Sequence, residues 1–283
     1  MTYRTAADFR TALESRLANQ ARAEGMVDPN RLRRSVAFER FLARLFHTGM
    51  ERWVLKGGYA LELRFPGRAR ATRDLDLNVP PPPYPELLNE LQVAAEVDLK
   101  DYFEFVVSTS ASKGDLAGPP LGGRRFSVQT MLAGRRFVMF PVDVGQGDVT
   151  VREPDRISGR MDLRFAGIDT PWFPVYPLED HFAEKLHAYT APHEFRTRVK
   201  DLIDMLLLIE QGLPLSAHLR ESIRTTFDRY ARHPLPSVLP LPPPEWQRTF
   251  PAMAKALDLP VTDHLQAYTI LQNFLSRLWS PNA

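Results

Sequence analysis

The sequence predicts an α/β (α+β) domain built on a short mixed sheet, followed by an all-helical domain, with the boundary near residue 175. Three segments rich in Phe and Val are separated by glycine-containing turns, as strands are: residues 102–110, 124–132 and 135–144. From Leu178 onward, the apolar spacing is helical throughout. A chain of 283 residues is long enough for two modest domains, so we expect them over residues 1–175 and 176–283.

Two helices are predicted before the first strand. The first spans residues 5–24, where Thr5 with Asp8 resembles a capping box, and its apolar face carries Phe9, Leu13, Leu17 and Ala21. The second spans residues 31–47, with Gly49 as its stop, and its inward side chains are Leu32, Val36, Phe41 and Leu45. Its arginines are expected to face mostly outward: Arg31, Arg33, Arg34, Arg40 and Arg44.

The next segment joins short apolar runs through turn residues. Residues 53–55 predict a buried strand, which Gly57 and Gly58 end in a tight turn. Helical spacing returns over residues 59–64, and a polar loop leads to residues 74–79, whose period of two predicts a strand. An extended proline-rich connector and a helix are expected to follow, at residues 80–83 and 85–97.

The C-terminal half carries a series of predicted helices. They span residues 178–190, 198–211, 215–231, 245–257 and 263–279. The aromatic segment before them, residues 172–176, predicts packing in the core or between domains rather than a platform for stacked bases.

Composition narrows the classes of protein to which the chain can belong. The absence of cysteine excludes disulfides, thiolate zinc sites and a cysteine nucleophile, and it fits a cytoplasmic protein. No segment approaches the ~20 apolar residues of a membrane span, and no signal peptide is expected. A net charge of +2 excludes a histone-like polycation, but residues 1–73 carry 15 basic and seven acidic side chains. This local excess indicates either solvated helix faces or a phosphate-rich partner.

One motif carries chemistry: Asp74 and Asp76 on a predicted strand. Residues separated by one position face the same side of a strand, about 6–7 Å apart along the backbone. Their carboxylates can therefore share one or two Mg²⁺ ions, which prefer oxygen ligands and phosphates.

Gly57 and Gly58 at a helix start let backbone N–H groups approach such phosphates. Alone, an Asp-x-Asp pair is common in turns and exposed strands, and paired glycines usually form a turn. Their combination in this order favours nucleotidyl transfer.

The chain resembles the nucleotidyltransferases of the polymerase-β-like superfamily, and most of all the AbiEii/AbiGii toxin family, which includes the mycobacterial MenT toxins. The resemblance lies in KGGYAL at residues 56–61 and RATRDLDL at residues 70–77. A second family pattern follows in EKL at residues 184–186 and RVKDLID at residues 198–204. The resemblance covers roughly residues 30–210. It implies a cytoplasmic enzyme that transfers a nucleoside monophosphate from an NTP with Mg²⁺ or Mn²⁺, and a cognate antitoxin as partner.

The resemblance also implies roles for matching residues. Asp74 and Asp76 would be metal ligands, and Lys185 would contact the triphosphate. Asp201 would hold the site together or take part in catalysis, so the helical domain would contribute Lys185 and Asp201 to the site. Further nucleotide contacts are expected from Lys56, Gly57, Gly58 and Thr72.

Several positions leave alternatives open. Tyr59 follows the glycine pair where superfamily members often have Ser or Thr, so backbone N–H groups would replace a hydroxyl contact there. Asp143 is either a third metal carboxylate or a turn residue at a strand end. Lys200 and Asp204 lie four residues apart on a helix and can form an ordinary surface ion pair.

The acceptor is the remaining question. For MenT-like members, the resemblance implies tRNA extended at its 3′ end, which stops aminoacylation and translation. The arginines expected to contact the RNA backbone are Arg33, Arg34, Arg40 and Arg44. One alternative is an enzyme of the same fold that modifies a protein or a small molecule. The other is a catalytically silent binding module, which the presence of both Asp74 and Asp76 disfavours.

Overall fold

The computed structural model describes residues 2–25, 28–47, 53–81, 86–110, 114–116, 118–148, 150–192 and 198–280. The helices are α1 (Ala6–Ala23), α2 (Pro29–His47), α3 (Gly57–Arg64), α4 (Leu87–Ala95), α5 (Leu178–Thr190), α6 (Val199–Glu210), α7 (Ala217–Tyr230), α8 (Trp246–Ala256) and α9 (His264–Leu278). The strands are β1 (Val54–Lys56), β2 (Leu75–Val79), β3 (Phe103–Thr109), β4 (Gly123–Leu132), β5 (Arg135–Gln146), β6 (Asp155–Ser158) and β7 (Trp172–Val175). The predicted helix stop at Gly49, the end of the proline-rich connector and the predicted helix start at Pro85 lie outside the described residues.

The chain divides into two compact units. Unit 1 comprises Met1–Leu63, Ala71–Gly147 and Asp155–Val175, and unit 2 comprises Arg64–Arg70, Asp148–Pro154 and Tyr176–Ala283. In the part of the chain that the structure describes, no helix is both long and apolar enough to cross a membrane.

Within the described residues, unit 1 is built on a seven-stranded mixed sheet in the order β3-β4-β5-β2-β1-β7-β6. β2 is parallel to β5 and β1 is parallel to β7, whereas the other neighbouring pairs are antiparallel. The predicted mixed sheet is therefore confirmed. The predicted packing of residues 172–176 in the core is confirmed for Phe173, Val175 and Tyr176, which are buried. The strand that Trp172–Val175 forms in this sheet was not predicted.

The long β4–β5 hairpin follows the pattern that the sequence predicts, with one irregularity. Ala133 and Gly134 have φ of 52° and 67°, the left-handed conformation that both central residues of a type I′ turn adopt. The register then shifts by one residue between Thr130 and Met131, because Phe137 is inserted in the facing strand. This β-bulge changes which residues face each other along the rest of the hairpin.

The expectation that Arg40 and Arg44 of α2 face outward is wrong. Both are buried, and both bind Asp101, which is itself completely buried. Arg40 Nε and an Arg44 guanidinium nitrogen each lie 2.6 Å from a carboxylate oxygen of Asp101. Burial alone would raise the pKa of Asp101, but the hydrogen bonds and charges of Arg44 and Arg40 lower it below its ordinary value. Part of the basic excess of residues 1–73 is therefore neutralised inside the fold.

Two further arginines of α2 are paired within unit 1. Arg31 contacts Glu62 at 3.0 Å, and Arg33 contacts Glu14 at 2.6 Å. These partners belong to other segments of the chain, which the helical spacing of α2 does not reveal. Four of the arginines of α2 therefore have specific acidic partners within unit 1.

Unit 2 contains helices α5 to α9, whose bounds lie within two residues of the predicted ones. α5 begins and ends at the predicted residues, Leu178 and Thr190. α6 is apolar and almost wholly buried, yet it also carries Asp201 and Asp204, which are 7% and 0% exposed. Buried carboxylates require charged or hydrogen-bonding partners, so α6 marks a polar site inside unit 2.

Candidate active site

Four charged side chains form a row across adjacent strands of unit 1. Lys56 of β1 lies opposite Asp76 of β2, and Asp76 lies opposite Asp143 of β5. Asp143 in turn lies opposite Arg125 of β4. Because directly opposite residues project from the same face of a sheet, the row places two carboxylates between two basic residues.

Asp74 adds a third carboxylate beside this row, from the position immediately before β2 rather than from the strand on which it was predicted. Oxygen atoms of Asp74, Asp76 and Asp143 lie within 4.8 Å of one another, and all three residues are partly exposed. No other group of three or more potential ligands was found among the described residues. A set of carboxylate oxygens is what Mg²⁺ and Mn²⁺ prefer, so these residues fit a divalent cation. Asp143 lies inside β5, so the alternative of a turn residue is wrong.

Asp74 is oriented by a hydrogen bond from Thr72, which is itself bound by Glu62. The Thr72 hydroxyl donates to Asp74 Oδ1 at 2.7 Å, and the Thr72 backbone N–H donates to Glu62 Oε1 at 2.6 Å. Thr72 is only 4% exposed. The structure therefore places the Thr72 hydroxyl on a carboxylate of the cluster, which it orients.

The absence of a side chain at Gly57 leaves space for the carboxylate of Asp76. Gly57 has φ of +66°, and a Cβ added to it would lie 1.9 Å from Asp76 Oδ2, far inside van der Waals contact. Gly57 and Gly58 are the first residues of α3, so the predicted turn is the point at which β1 passes directly into the helix. The close approach that requires glycine at position 57 is the approach of a carboxylate within the protein.

Tyr59 has a structural role in unit 1. It is buried, and its hydroxyl donates to Glu39 Oε1 at 3.0 Å. Glu39 also accepts from the backbone N–H groups of Arg160 and Met161, so it ties α2 to the segment before β7. The departure from Ser or Thr at position 59 thus supplies a core hydrogen bond.

Arg125 is the site residue that sequence reasoning missed. Its guanidinium binds Asp143 in a bidentate manner, with Nε 2.6 Å from Oδ1 and a terminal nitrogen 2.5 Å from Oδ2. This hydrogen bonding, together with the charges of Asp143, Asp74 and Asp76, raises the pKa of Arg125 above its ordinary value. Residues 124–132 were predicted to form a strand, but the register that joins Arg125 to Asp143 depends on the β-bulge.

A second charged cluster lies within unit 2. Lys185 Nζ lies 3.1 Å from Asp201 Oδ1 and 3.0 Å from Asp204 Oδ2. Arg70 Nε donates to the other oxygen of Asp204 at 3.2 Å. Burial alone would lower the pKa of Lys185, but Asp204 and Asp201 raise it above its ordinary value. Lys185 is therefore a fixed positive charge.

The structure assigns Asp204 a different partner from the one expected. A surface ion pair with Lys200 was the alternative that the helical spacing left open, but Asp204 is completely buried and binds Lys185 and Arg70. Lys200 is exposed. The family-like segments at residues 184–186 and 198–204 thus meet through buried ion pairs between α5 and α6.

Comparison with known proteins finds one matching family profile and a similar solved structure. A sequence profile described as nucleotidyl transferase AbiEii toxin, type IV TA system, matches residues 40–272. Among solved structures, the chain is similar to MenT4, a nucleotidyltransferase toxin from Mycobacterium tuberculosis H37Rv. The TM-score is 0.57 at 19% identity, over 95% of this chain and 99% of that one. Among curated proteins, none matches this sequence significantly.

Proposed function

This chain belongs to the AbiEii family of nucleotidyltransferase toxins, and from that premise we propose that it transfers a nucleoside monophosphate to the 3′ end of tRNA with the aid of a divalent cation. Because the family consists of nucleotidyltransferases, an NTP is the substrate. Because the family belongs to type IV toxin–antitoxin systems, an antitoxin is the functional partner. The observation that carries the metal-dependent reaction is the cluster of Asp74, Asp76 and Asp143, flanked by Lys56 and Arg125.

Asp74, Asp76 and Asp143 would hold Mg²⁺ or Mn²⁺ through their carboxylate oxygens. The chemistry that such a cation would supply is neutralisation of phosphate charge and activation of the attacking hydroxyl. The protein itself contributes positioning: Thr72 orients Asp74, and Gly57 leaves room for Asp76. Such an arrangement suits attack of a hydroxyl on the α-phosphate, with pyrophosphate as the leaving group.

Phosphate binding is proposed for the residues where β1 passes into α3. Lys56 ends β1, and Gly57 and Gly58 begin α3, whose first N–H groups have no partner within the helix. An ammonium group and the N-terminus of a helix both favour anions. The triphosphate would therefore be bound beside the carboxylate cluster.

Gly57→Ala is expected to lower nucleotide transfer by at least about a hundredfold, because a carboxylate displaced by about 1 Å costs that much. Its matched control is Gly67→Ala, since Gly67 has φ of +73° but nothing within 4 Å of an added Cβ. Both variants carry similar backbone strain, and only the first displaces Asp76. Initial rates below both melting temperatures measure the difference, and equal rates would contradict the role of Gly57.

We propose that Lys185 and Asp201 serve the same reaction, as the domain arrangement expected from the sequence implies. Asp201 and Asp204 fix the ammonium of Lys185 on α5, and its charge suits a contact with the triphosphate. Residues 176–283 would then contribute to catalysis as well as to stability.

Lys185→Ala is expected to raise the KM for NTP at least about tenfold, equivalent to 1.4 kcal/mol, while acceptor binding stays unchanged. Lys200→Ala is the control, because Lys200 is an exposed lysine on α6. Steady-state kinetics with varied NTP, together with the Tm of each variant, separate lost binding from lost stability. A folded Lys185→Ala enzyme with the wild-type KM would return Lys185 to a purely structural role.

The proposal of tRNA as acceptor rests on the resemblance to MenT-like toxins. The arginines of α2 give it less support than expected, because Arg40 and Arg44 are buried on Asp101 and Arg33 is paired with Glu14. An acceptor protein or a small molecule would be served by the same carboxylate cluster. The acceptor is therefore the part of the proposal that needs a direct experiment.

The experiment supplies each of the four α-³²P-labelled NTPs in turn to the protein with Mg²⁺ and one of three acceptor pools: total RNA, total protein or a small-molecule extract. Label in the tRNA band of a denaturing gel is expected, and the signal should fall with rising salt because RNA binding releases counterions. Label in a protein band or in a small-molecule fraction would identify one of the alternative acceptors. The absence of label with every NTP and all three acceptor pools would favour a silent binding module.

A further inference from the structure

We propose that Arg125 is an internal counter-ion of the carboxylate cluster, which occupies Asp143 in the nucleotide-free enzyme and passes to a phosphate when cation and nucleotide bind. This inference rests on the proposed function, because it takes Asp143 as a ligand of the cation. It concerns a residue of β4 outside the family-like segments at residues 56–77 and 184–204.

The contact of Arg125 with Asp143 is the first observation. The guanidinium engages both oxygens of Asp143, at 2.6 and 2.5 Å. At least one of these oxygens belongs to the group that lies within 4.8 Å of the oxygens of Asp74 and Asp76. A cation in the cluster would therefore share Asp143 with a guanidinium and would be repelled by its positive charge. Arg125 thus opposes cation binding as long as it stays on Asp143.

The second observation is the position of Arg125 on the sheet. It lies at one end of the row of charged residues, with Lys56 at the other end. Its side chain is 34% exposed, whereas that of Asp143 is 14% exposed. The guanidinium can therefore reach a group that arrives from solvent without disturbing the core.

The chemistry of the guanidinium selects the incoming group. Its planar fork of N–H donors matches two oxygens of a phosphate as well as two oxygens of a carboxylate. The charges that act on Arg125 are those of Asp143, Asp74 and Asp76. When a cation neutralises these carboxylates, a nucleotide phosphate would take their place as the anionic partner of Arg125. Cation and nucleotide binding thereby support each other, and the coupling is reciprocal.

Arg125→Gln tests this directly through Mn²⁺ binding, measured by calorimetry and by the electron paramagnetic resonance of free Mn²⁺ in the absence of nucleotide. The variant is expected to bind Mn²⁺ on the order of tenfold more tightly than wild type, because a positive charge beside the site is removed. In the presence of Mn²⁺, it is expected to bind a non-hydrolysable NTP analogue on the order of tenfold more weakly, because a phosphate contact is lost.

Arg124→Gln is the matched control. Arg124 is the neighbouring residue of β4, its side chain is 55% exposed, and it contacts Asp115 at 3.5 Å. Its replacement should change neither affinity. In an Asp143→Asn background, Arg125→Gln should produce a smaller gain in Mn²⁺ affinity than in wild type, because the direct contact is already lost and only the repulsion by the charge of Arg125 remains to be removed. Arg125→Lys keeps the charge but loses the fork, so it is expected to fall between wild type and Arg125→Gln, and it serves if Arg125→Gln does not fold.

Two results would overturn the counter-ion role in distinguishable ways. If wild type binds Mn²⁺ and folded Arg125→Gln binds it equally or more weakly, Arg125 only orients Asp143, and the proposed function stands. If wild type itself binds no Mn²⁺ and transfers nucleotides without it, the metal site proposed above fails together with the role of Arg125.

Discussion

Asp76→Asn and Asp74→Asn are each expected to lower nucleotide transfer about a thousandfold while the fold stays intact. Loss of a carboxylate ligand removes several kcal/mol of transition-state stabilisation, and about 4 kcal/mol corresponds to a thousandfold. Both side chains are partly exposed at the surface of the sheet, so the isosteric amide leaves no cavity. Three clustered carboxylates also repel one another without a cation, so the Tm of either variant in the presence of a chelator should not fall.

Asp115→Asn is the control for these variants. Asp115 is an acidic residue whose side chain is 88% exposed and whose contact is with Arg124 rather than with the cluster. Single-turnover rates and thermal melts of the three variants measure the effect. Wild-type activity in either Asp74→Asn or Asp76→Asn would contradict the assignment of the cluster as the catalytic centre.

Arg44→Met is expected to lower the free energy of unfolding by about 3–5 kcal/mol, which is a large part of the stability of most domains. Arg44 makes two of the hydrogen bonds to Asp101 and one to the carbonyl oxygen of Phe103 at 2.8 Å. Without Arg44, the buried carboxylate retains only Arg40 as a charged partner, and burial then favours its protonated form.

Arg33→Met provides the comparison, because Arg33 pairs with Glu14 at a partly exposed position. Pairs of this kind are worth less than about 1 kcal/mol. Urea denaturation of the two variants measures the difference. Equal stability of Arg44→Met and wild type would show that the buried ion pairs of Asp101 do not hold α2 against the sheet.

The helices were predictable because their information is local. The apolar face of α1 was predicted as Phe9, Leu13, Leu17 and Ala21, and all four are buried. The helices of unit 2 also have strong periodicity and clear breaks, so their bounds follow from the sequence. β7 was missed because its role depends on a distant strand: Val175 pairs with Leu55, and nothing in the local pattern of an aromatic, proline-containing segment shows this.

The aspartates of the carboxylate site could be predicted from the sequence, whereas the arginine that flanks them could not. The spacing of Asp74 and Asp76 predicts that their carboxylates meet, although Asp74 lies immediately before β2 rather than on it. The place of Arg125 depends instead on the register of the β4–β5 hairpin. An unbulged hairpin would put Arg124 opposite Asp143, and the inserted Phe137 puts Arg125 there instead. A bulge of one residue has no composition signal strong enough to be recognised in a single sequence.

The burial and the ion-pair partners of charged side chains were the least predictable features. The spacing of α2 places Arg40 and Arg44 one turn apart, which fits an RNA-binding face as well as an internal clamp. Only the position of Asp101, about 60 residues away in sequence, decides between the two. For Asp204, the sequence likewise left open a surface ion pair with Lys200, because the buried partners Lys185 and Arg70 come from other segments. Arginine and aspartate in a helix are placed by their tertiary partners.

The 3′ ends of tRNA test the central proposal most directly. Purified tRNA is incubated with the NTPs, Mg²⁺ and either wild-type protein or Asp76→Asn, and the ends are then sequenced. We expect additional nucleotides after the 3′ terminus with wild type and unchanged ends with Asp76→Asn. Unchanged tRNA ends with wild-type protein, under conditions in which it releases pyrophosphate from an NTP in the presence of another acceptor, would contradict transfer to tRNA.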